Sequence, residues 1–359
     1  VQRAVPEKVR NRTIALETET GAVAVFPPPH RYFYPLDEAY NQGFTWRGND
    51  FMDQVSGFGI GVRQDLQGDG RWVPWFNAPP GTNQELGIFW LASLDRGNKL
   101  FDRVKAYTHG DRFPEVPGHK AFTSHYHVEH TTRLIQARDK GGKLAVPPAL
   151  KKPDFVDVFK KSGIQIVHLA EFHNRLGRSR RDPVKALPLL KTLHEECARL
   201  SDDGFLLLPG EEPNVHLGGH WISFFPRPVM WVLNRSKDKP FTEEHPRFGR
   251  VYHVGSPEDI LKLMEREGGL MWAAHPRIKS STGYPDLYRD KPFFKSDRYL
   301  GGAWKAMPAD LSKPRLGWRV LDLLDDTSNW GAKKYILGEV DIFQVDRTTE
   351  FYAHANVNY

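Results

Sequence analysis

The sequence predicts an α/β protein in two parts, a β-rich N-terminal region followed by strand–helix units that build a largely parallel sheet or barrel. Three observations carry this reading. From Thr13 to about Asp111 the chain is rich in Gly, Pro and aromatic residues, with short apolar runs such as TIALETETGAVAVF and LGIFWLASL between turn signals. After FPEVPGHK, residues 113–120, apolar runs alternate with helical periodicity, the pattern of strand–helix units. The chain has 359 residues, 40% of them hydrophobic, which supports two domains rather than one small core, with expected spans 1–115 and 116–359.

Within the first span no full-length amphipathic helix is expected. DLQGDG at 65–70 begins like a calcium loop, but the twelfth position is Phe76 where a bidentate Glu is needed, so it reads as a turn. In the second span IQIVHLA, residues 164–170, reads as a strand leading into Glu171-Phe172-His173-Asn174. From Asp182 to Leu200, Leu187, Leu190, Leu193, Cys197 and Leu200 recur at helical spacing, with Pro188 blurring the start. Gly204 ends that helix, and FLLL follows as a strand that delivers Pro209-Gly210-Glu211-Glu212. Ser256 is an N-cap, Pro257 suits the first helical position, and Asp259 sits three residues after the cap. Ile260, Leu261, Leu263 and Met264 form the apolar face, Gly268-Gly269 stops the helix, and LMWAA is a buried strand that delivers His275-Pro276. YILGEVDIFQV reads as a further strand.

Composition limits the function. The formal net charge is +6, yet no block of like charge is long enough for a nucleic-acid arm. RLGRSRR, residues 175–181, is the densest run and reads as a solvated loop that can also attract an anionic substrate. The single cysteine, Cys197, excludes an intrachain disulfide and thiolate zinc sites, so any metal must sit on His, Asp and Glu. No stretch approaches the roughly 18 apolar residues of a membrane span. VQRAVPEKVR is not a signal peptide, and localisation stays open between export and cytoplasm. Neither a Gly-x-Ser-x-Gly elbow nor a phosphate-cradling P-loop is present.

Four predicted strands end in groups able to hold a metal: His125 and His127, then Glu171 and His173, then Glu211 and Glu212, then His275. In a parallel α/β arrangement those C-terminal ends share one side, where active sites are built. His125 and His127 in FTSHYHVEHT are two apart, so on an extended strand they face one side and Tyr126 the other. The glycines of HLGGH permit close backbone approach and favour His220 over His216. His168, inside an apolar run, reads as a core imidazole. Mixed imidazole and carboxylate donors suit Zn, Mn or Fe better than Ca or Mg.

The ordered set SHYH at 124–127, EFHN at 171–174, PGEE at 209–212, GGH at 218–220 and AAHPR at 273–277 resembles the polymerase and histidinol phosphatase (PHP) family of metallohydrolases. YTHGDRF at 107–113 and GHKAFTSHYH look more like its carbaryl-hydrolase branch, whose members carry an N-terminal β-domain. The resemblance implies a distorted (β/α) barrel after a sandwich-like β-domain. It also implies two divalent ions held by His125, His127, His173, Glu212, His220 and His275, with Glu212 bridging. Glu171 stands where the family has Asp, and His130 lies closer to the His-x-His than the family's spacing. The family's last strand contributes an Asp, often as Asp-x-His. Asp341 and Asp346 fall in the preceding strand's pattern, so the expectation is a chain that stops before its last metal-binding strand.

The implied activity is hydrolysis of an ester, phosphoester or carbamate bond in a small molecule, with Arg277 and Arg175 offsetting charge on the group attacked. A second expectation, favoured by the missing Asp and the ten Trp residues, is a degenerate scaffold that binds carbohydrate or protein. A nucleic-acid-processing role is the least supported, and no nucleic-acid partner is expected.

Overall fold

The computed structural model describes residues 14–26, 44–47, 58–61, 81, 89–127, 130–141, 146–172, 182–277, 285–304, 318–343 and 356–359. The described residues form two compact units that first divide between Arg112 and Phe113. The DLQGDG turn lies outside the described residues.

In the first unit, β1 (Ile14–Glu17) and β2 (Ala22–Phe26) form a hairpin, and β5 (Phe89–Ser93) pairs antiparallel with β2. At the hairpin turn Thr18 Oγ1 accepts from the Gly21 amide at 3.2 Å. A Cβ at Gly21 would lie 2.6 Å from the Ser93 carbonyl oxygen, so the strands meet there only because the residue has no side chain. β3 (Phe44–Arg47) and β4 (Phe58–Gly61) make a separate antiparallel pair. An 11-residue helix, α1 (Asn98–Thr108), lies in the region expected to hold none. Its buried stripe is only Leu100, Val104 and Thr108, a single residue per turn among charged neighbours, too narrow to stand out as amphipathic. Leu100 and Val104 pack with Ala22, Ala24 and Phe26 of β2.

The second unit is mixed α/β around a barrel-like sheet. In chain order its strands begin with β6 (Phe122–His127), β7 (Ile166–Leu169), β8 (Glu171–Phe172), β9 (Leu206–Leu208), β10 (Gly210–Glu212) and β11 (Trp221–Phe224). They continue with β12 (Met230–Val232), β13 (Thr242–His245), β14 (Gly249–His253), β15 (Leu270–Ala273), β16 (Tyr299–Trp304) and β17 (Tyr335–Phe343). The helices are α2 (His130–Gly141), α3 (Pro148–Lys151), α4 (Asp154–Lys161), α5 (Pro183–Leu200), α6 (Pro257–Glu267), α7 (Pro292–Lys295) and α8 (Trp318–Asn329).

The large sheet runs β8-β10-β11-β15-β16-β17-β6-β7-β9. β8 continues β7 after Ala170, and β10 continues β9 after Pro209, so the two ends of that order belong to neighbouring staves and the sheet wraps round on itself. All its pairings are parallel except those of β11, which runs antiparallel to both β10 and β15. The parallel strands therefore end at one rim, and β11 begins there. β12, β14 and β13 form a small separate sheet, from which Val232 and Val251 pack on Ala186 and Leu187 of α5.

Local chemistry explains the helices that position the rim. α6 starts where Ser256 Oγ accepts from the Asp259 amide at 3.2 Å, and ends at Gly268 in the left-handed conformation. Asp259 does not reach back to its cap. Its carboxylate accepts from the Gly255 amide at 3.0 Å and pairs with Arg235. α5 is capped by Asp182 and keeps Pro188 inside, with its core face on Leu187, Leu190, Leu193 and Cys197. Tyr126 packs on Phe155 and Phe159 of α4, which fixes the outer face of β6.

Candidate metal centre

Side chains from five places on the rim converge. β6 supplies His125 and His127, β10 supplies Glu212, the turn after β15 supplies His275, and His220 stands immediately before β11. β17 adds Asp341 and Glu339. His220 reaches the rim because its strand is reversed, so the residue entering β11 lies level with the residues leaving the parallel strands.

Glu212 is the hub. Its Oε1 lies 2.7 Å from His220 Nδ1, 3.2 Å from His125 Nε2 and 3.2 Å from His275 Nε2, and its Oε2 lies 3.5 Å from His127 Nε2. Asp341 closes the opposite side, with Oδ1 3.2 Å from His127 Nε2 and Oδ2 3.6 Å from His275 Nε2. The imidazoles of His125 and His275 stack at 5.2 Å between centroids. His127 is fixed from behind by a 2.6 Å contact between its Nδ1 and the Ala170 carbonyl oxygen.

The backbone is distorted to make this possible. β6 slips register against β7 between Thr123 and Tyr126, and β17 slips against β6 between Glu339 and Ile342. His125 has φ 69°, Asp341 φ 37° and His275 φ 31°, a left-handed region that non-glycine residues rarely enter. Bulges of this kind re-aim side chains at sites, and the strain persists where the surroundings enforce it.

Gly210 supports the hub. A Cβ there would lie 2.1 Å from His168 Nε2 and 2.6 Å from the Leu169 carbonyl oxygen, so the Pro-Gly-Glu-Glu motif needs its glycine for the approach of β7. His168 is a satisfied core imidazole, with Ser124 Oγ at 3.1 Å from Nδ1 and the Ser223 carbonyl oxygen at 3.0 Å from Nε2. Burial pushes its pKa down to about 3. Before His220, Gly218 has φ 87° and no room for a Cβ against the Tyr288 ring.

The electrostatics follow from burying charges together. Burial opposes a charged imidazole at His125, but Asp341, Glu212 and Glu339 outweigh it and hold its pKa well above the usual value. Burial likewise opposes ionisation of Glu212, and the charge of His125 with hydrogen bonds from His125, His220 and His275 holds it well below the carboxylate range. At His127 burial wins and the pKa is lowered.

Of the residues nominated from sequence, His125, His127, Glu212, His220 and His275 are brought together. His173 and Arg175 lie outside the described residues. Arg277, nominated to face the reacting group, is instead committed to carboxylates, with one terminal nitrogen 2.6 Å from Asp326 and 3.2 Å from Asp286. It follows Pro276 with φ 61°, so the turn that presents His275 also swings Arg277 into that pairing. Glu171 is not part of the cluster. Burial, and then the charges of Glu171 and Glu196, push the Cys197 thiol up, which places Glu171 within electrostatic reach of α5. His130 is also apart, with Nε2 2.8 Å from Glu196 Oε2.

Sequence reasoning set Asp341 aside as part of a strand's pattern and did not nominate Glu339. Asp341 of β17 brings a carboxylate to the side of the cluster opposite Glu212, near His127 and His275. The available signal was two carboxylates at alternate positions in an otherwise apolar strand, Glu339 and Asp341 of YILGEVDIF.

The donor set fits divalent ions. Three overlapping groups each gather ligand atoms within 4.8 Å: His125, His127 and Glu212; Glu212, His220 and His275; and His125, His275, Glu339 and Asp341. Glu212 Oε2 is buried without a hydrogen-bond donor among the described residues, a cost that a cation would offset.

No protein-family model matches the chain, and no curated protein matches it. Among solved structures, a two-domain protein from Bacteroides vulgatus containing a predicted PHP-like metal-dependent phosphoesterase is similar over 69% of this chain and 68% of its own, at 14% identity and a TM-score of 0.37. No helix among the described residues is long and apolar enough to cross a membrane.

Proposed function

We propose that the chain is a PHP-like metal-dependent hydrolase that cleaves an ester, phosphoester or carbamate bond in a small molecule. The observation that carries this reading is the convergence of Glu212 and Asp341 on His125, His127, His220 and His275 at the C-terminal rim of a barrel-like sheet. The motif resemblance supports the family, and the likeness to its carbaryl-hydrolase branch rests on those motifs alone. His125, His127, Glu212, His220, His275 and Asp341 would hold a pair of divalent ions, Zn, Mn or Fe by the donor chemistry, which when bound would acidify a water and polarise the oxygen under attack.

The chain's own residues do the rest. Glu212 lies between two of the donor groups and can be shared by both. Asp341 balances imidazoles on the far side, and the Ala170 carbonyl holds His127 in one orientation. The alternative of a degenerate binding scaffold drew on a missing acidic corner and on the ten Trp residues, and the place of Asp341 beside His127 and His275 speaks against the first of these.

The test is metal content of the purified chain, paired with hydrolysis of aryl phosphate, phosphodiester, acetate and carbamate probes. At least one tightly held ion and metal-dependent turnover of one probe class are expected. Less than one ion, or turnover unaffected by chelation, would sink the reading.

A further inference from the structure

Two carboxylates of the cluster are nominated by no motif, Asp341 and Glu339, and the second touches the back of a histidine. Glu339 is fully buried on β17, and its Oε2 lies 2.7 Å from His125 Nδ1. The strand register explains the contact: Glu339 pairs with Ser124 on β6, and the adjoining bulges turn the His125 ring back toward β17.

Both imidazoles of the His-x-His pair are therefore gripped through Nδ1. His127 is held by a neutral carbonyl, that of Ala170, whereas His125 is held by a carboxylate. Both Nε2 atoms point the other way, toward Glu212 and Asp341. An ionised carboxylate only accepts, so the proton of this contact sits on Nδ1, and a neutral His125 then has its lone pair on Nε2. Carboxylates behind ligating histidines fix the tautomer and raise donor strength.

We infer that Glu339 is a positioning residue for His125: it sets the Nδ1–H tautomer and aims Nε2 into the cluster as the more basic donor of the pair. The inference rests on the metal-binding reading above. The competing role for Glu339 is that of a direct ligand, since its carboxylate lies within 4.8 Å of donor atoms of His125, His275 and Asp341.

The experiment uses the full chain and two variants, Glu339→Gln and Glu339→Ala, titrated with Zn²⁺ alone by calorimetry. ¹⁵N-histidine spectra of the zinc-loaded protein are read alongside. Positioning predicts unchanged stoichiometry with affinity about 10–100-fold weaker. The loss should be smaller in Glu339→Gln, whose side-chain carbonyl can still accept from Nδ1–H. It also predicts a strongly hydrogen-bonded His125 Nδ1–H proton in the wild type that moves upfield in Glu339→Gln. Loss of a whole ion equivalent in Glu339→Gln would make Glu339 a ligand and overturn the inference, as would equal affinity in all three proteins. A wild type that binds no zinc overturns the metal-binding reading itself, whereas a wild type that binds tightly beside an equally tight Glu339→Ala overturns only the positioning role. If Glu339→Ala does not fold, Glu339→Gln decides the matter alone.

Discussion

His127 Nε2 and Asp341 Oδ1 face each other at 3.2 Å across the seam where β17 pairs with β6. This contact joins the most recognisable motif of the chain to a residue that no motif marks. Replacing Asp341 with Asn keeps its shape and removes its charge. Divalent-ion affinity should fall by more than about 100-fold, beyond the effect of losing an outer partner. Circular dichroism should stay that of the wild type, and competition with a metal-sensitive dye reads the affinity.

Glu212→Gln removes the charge shared by His125, His220 and His275. The expected outcome is less than one ion per chain by elemental analysis, and loss of at least about 100-fold in hydrolysis of whichever probe the wild type turns over. A Glu212→Gln protein that retains full metal content would show that Glu212 is not the hub.

Gly210→Ala tests the close approach of β7. With 2.1 Å between the added Cβ and His168 Nε2, either the imidazole or the strand must shift. Overpacking of this kind costs about 1–3 kcal/mol, read as a lower urea midpoint with an unchanged slope.

Arg277→Met addresses an arginine that sequence logic would assign to the reaction. Its pairing with Asp286 and Asp326 predicts a structural effect, a loss of about 1–3 kcal/mol in stability, with metal stoichiometry unchanged. If stability is unchanged and only turnover falls, the arginine has a direct role.

Acid sensitivity should trace in part to Glu196. Burial opposes its ionisation, but hydrogen bonds from His130 and Arg199 outweigh burial and hold its pKa down at about 2, against an ordinary 4.5. A depressed carboxylate contributes stability that is fully present above the ordinary value and is lost as pH falls toward the folded one. Between about pH 4.5 and about 2, the stability difference between wild type and Glu196→Gln should therefore shrink, which urea midpoints across that range will read.

Much of the rim was legible because its chemistry stands at the ends of apolar runs. LMWAA before His275 and FLLL before Pro209-Gly210-Glu211-Glu212 each announce a strand and a polar end. The start and stop of α6 were legible for the same reason, since caps act within a few residues. What escaped depended on contacts distant in sequence. Asp341 looked like mid-strand alternation because its bulge exists only against β6. Arg277 looked available because its partners, Asp286 and Asp326, arrive from later segments. β16, with Gly301 and Gly302 in YLGGAW, lacks the branched residues that mark a strand and is placed by its neighbours. Helix α1 hid behind a stripe one residue wide.

The wrapping of the sheet has a consequence for how the site comes into being. Glu212 and His220 are 8 residues apart and belong to one local hairpin, so their contact needs almost no chain closure. His125 and Glu339 are 214 residues apart and meet only when β17 docks on β6. Contacts of such long range form late because the intervening chain must first be ordered. The last seam of the barrel and the last donors of the cluster thus arrive together. An ion that requires both sides will tighten only around a finished fold, and metal affinity becomes a reporter of whether the barrel has closed.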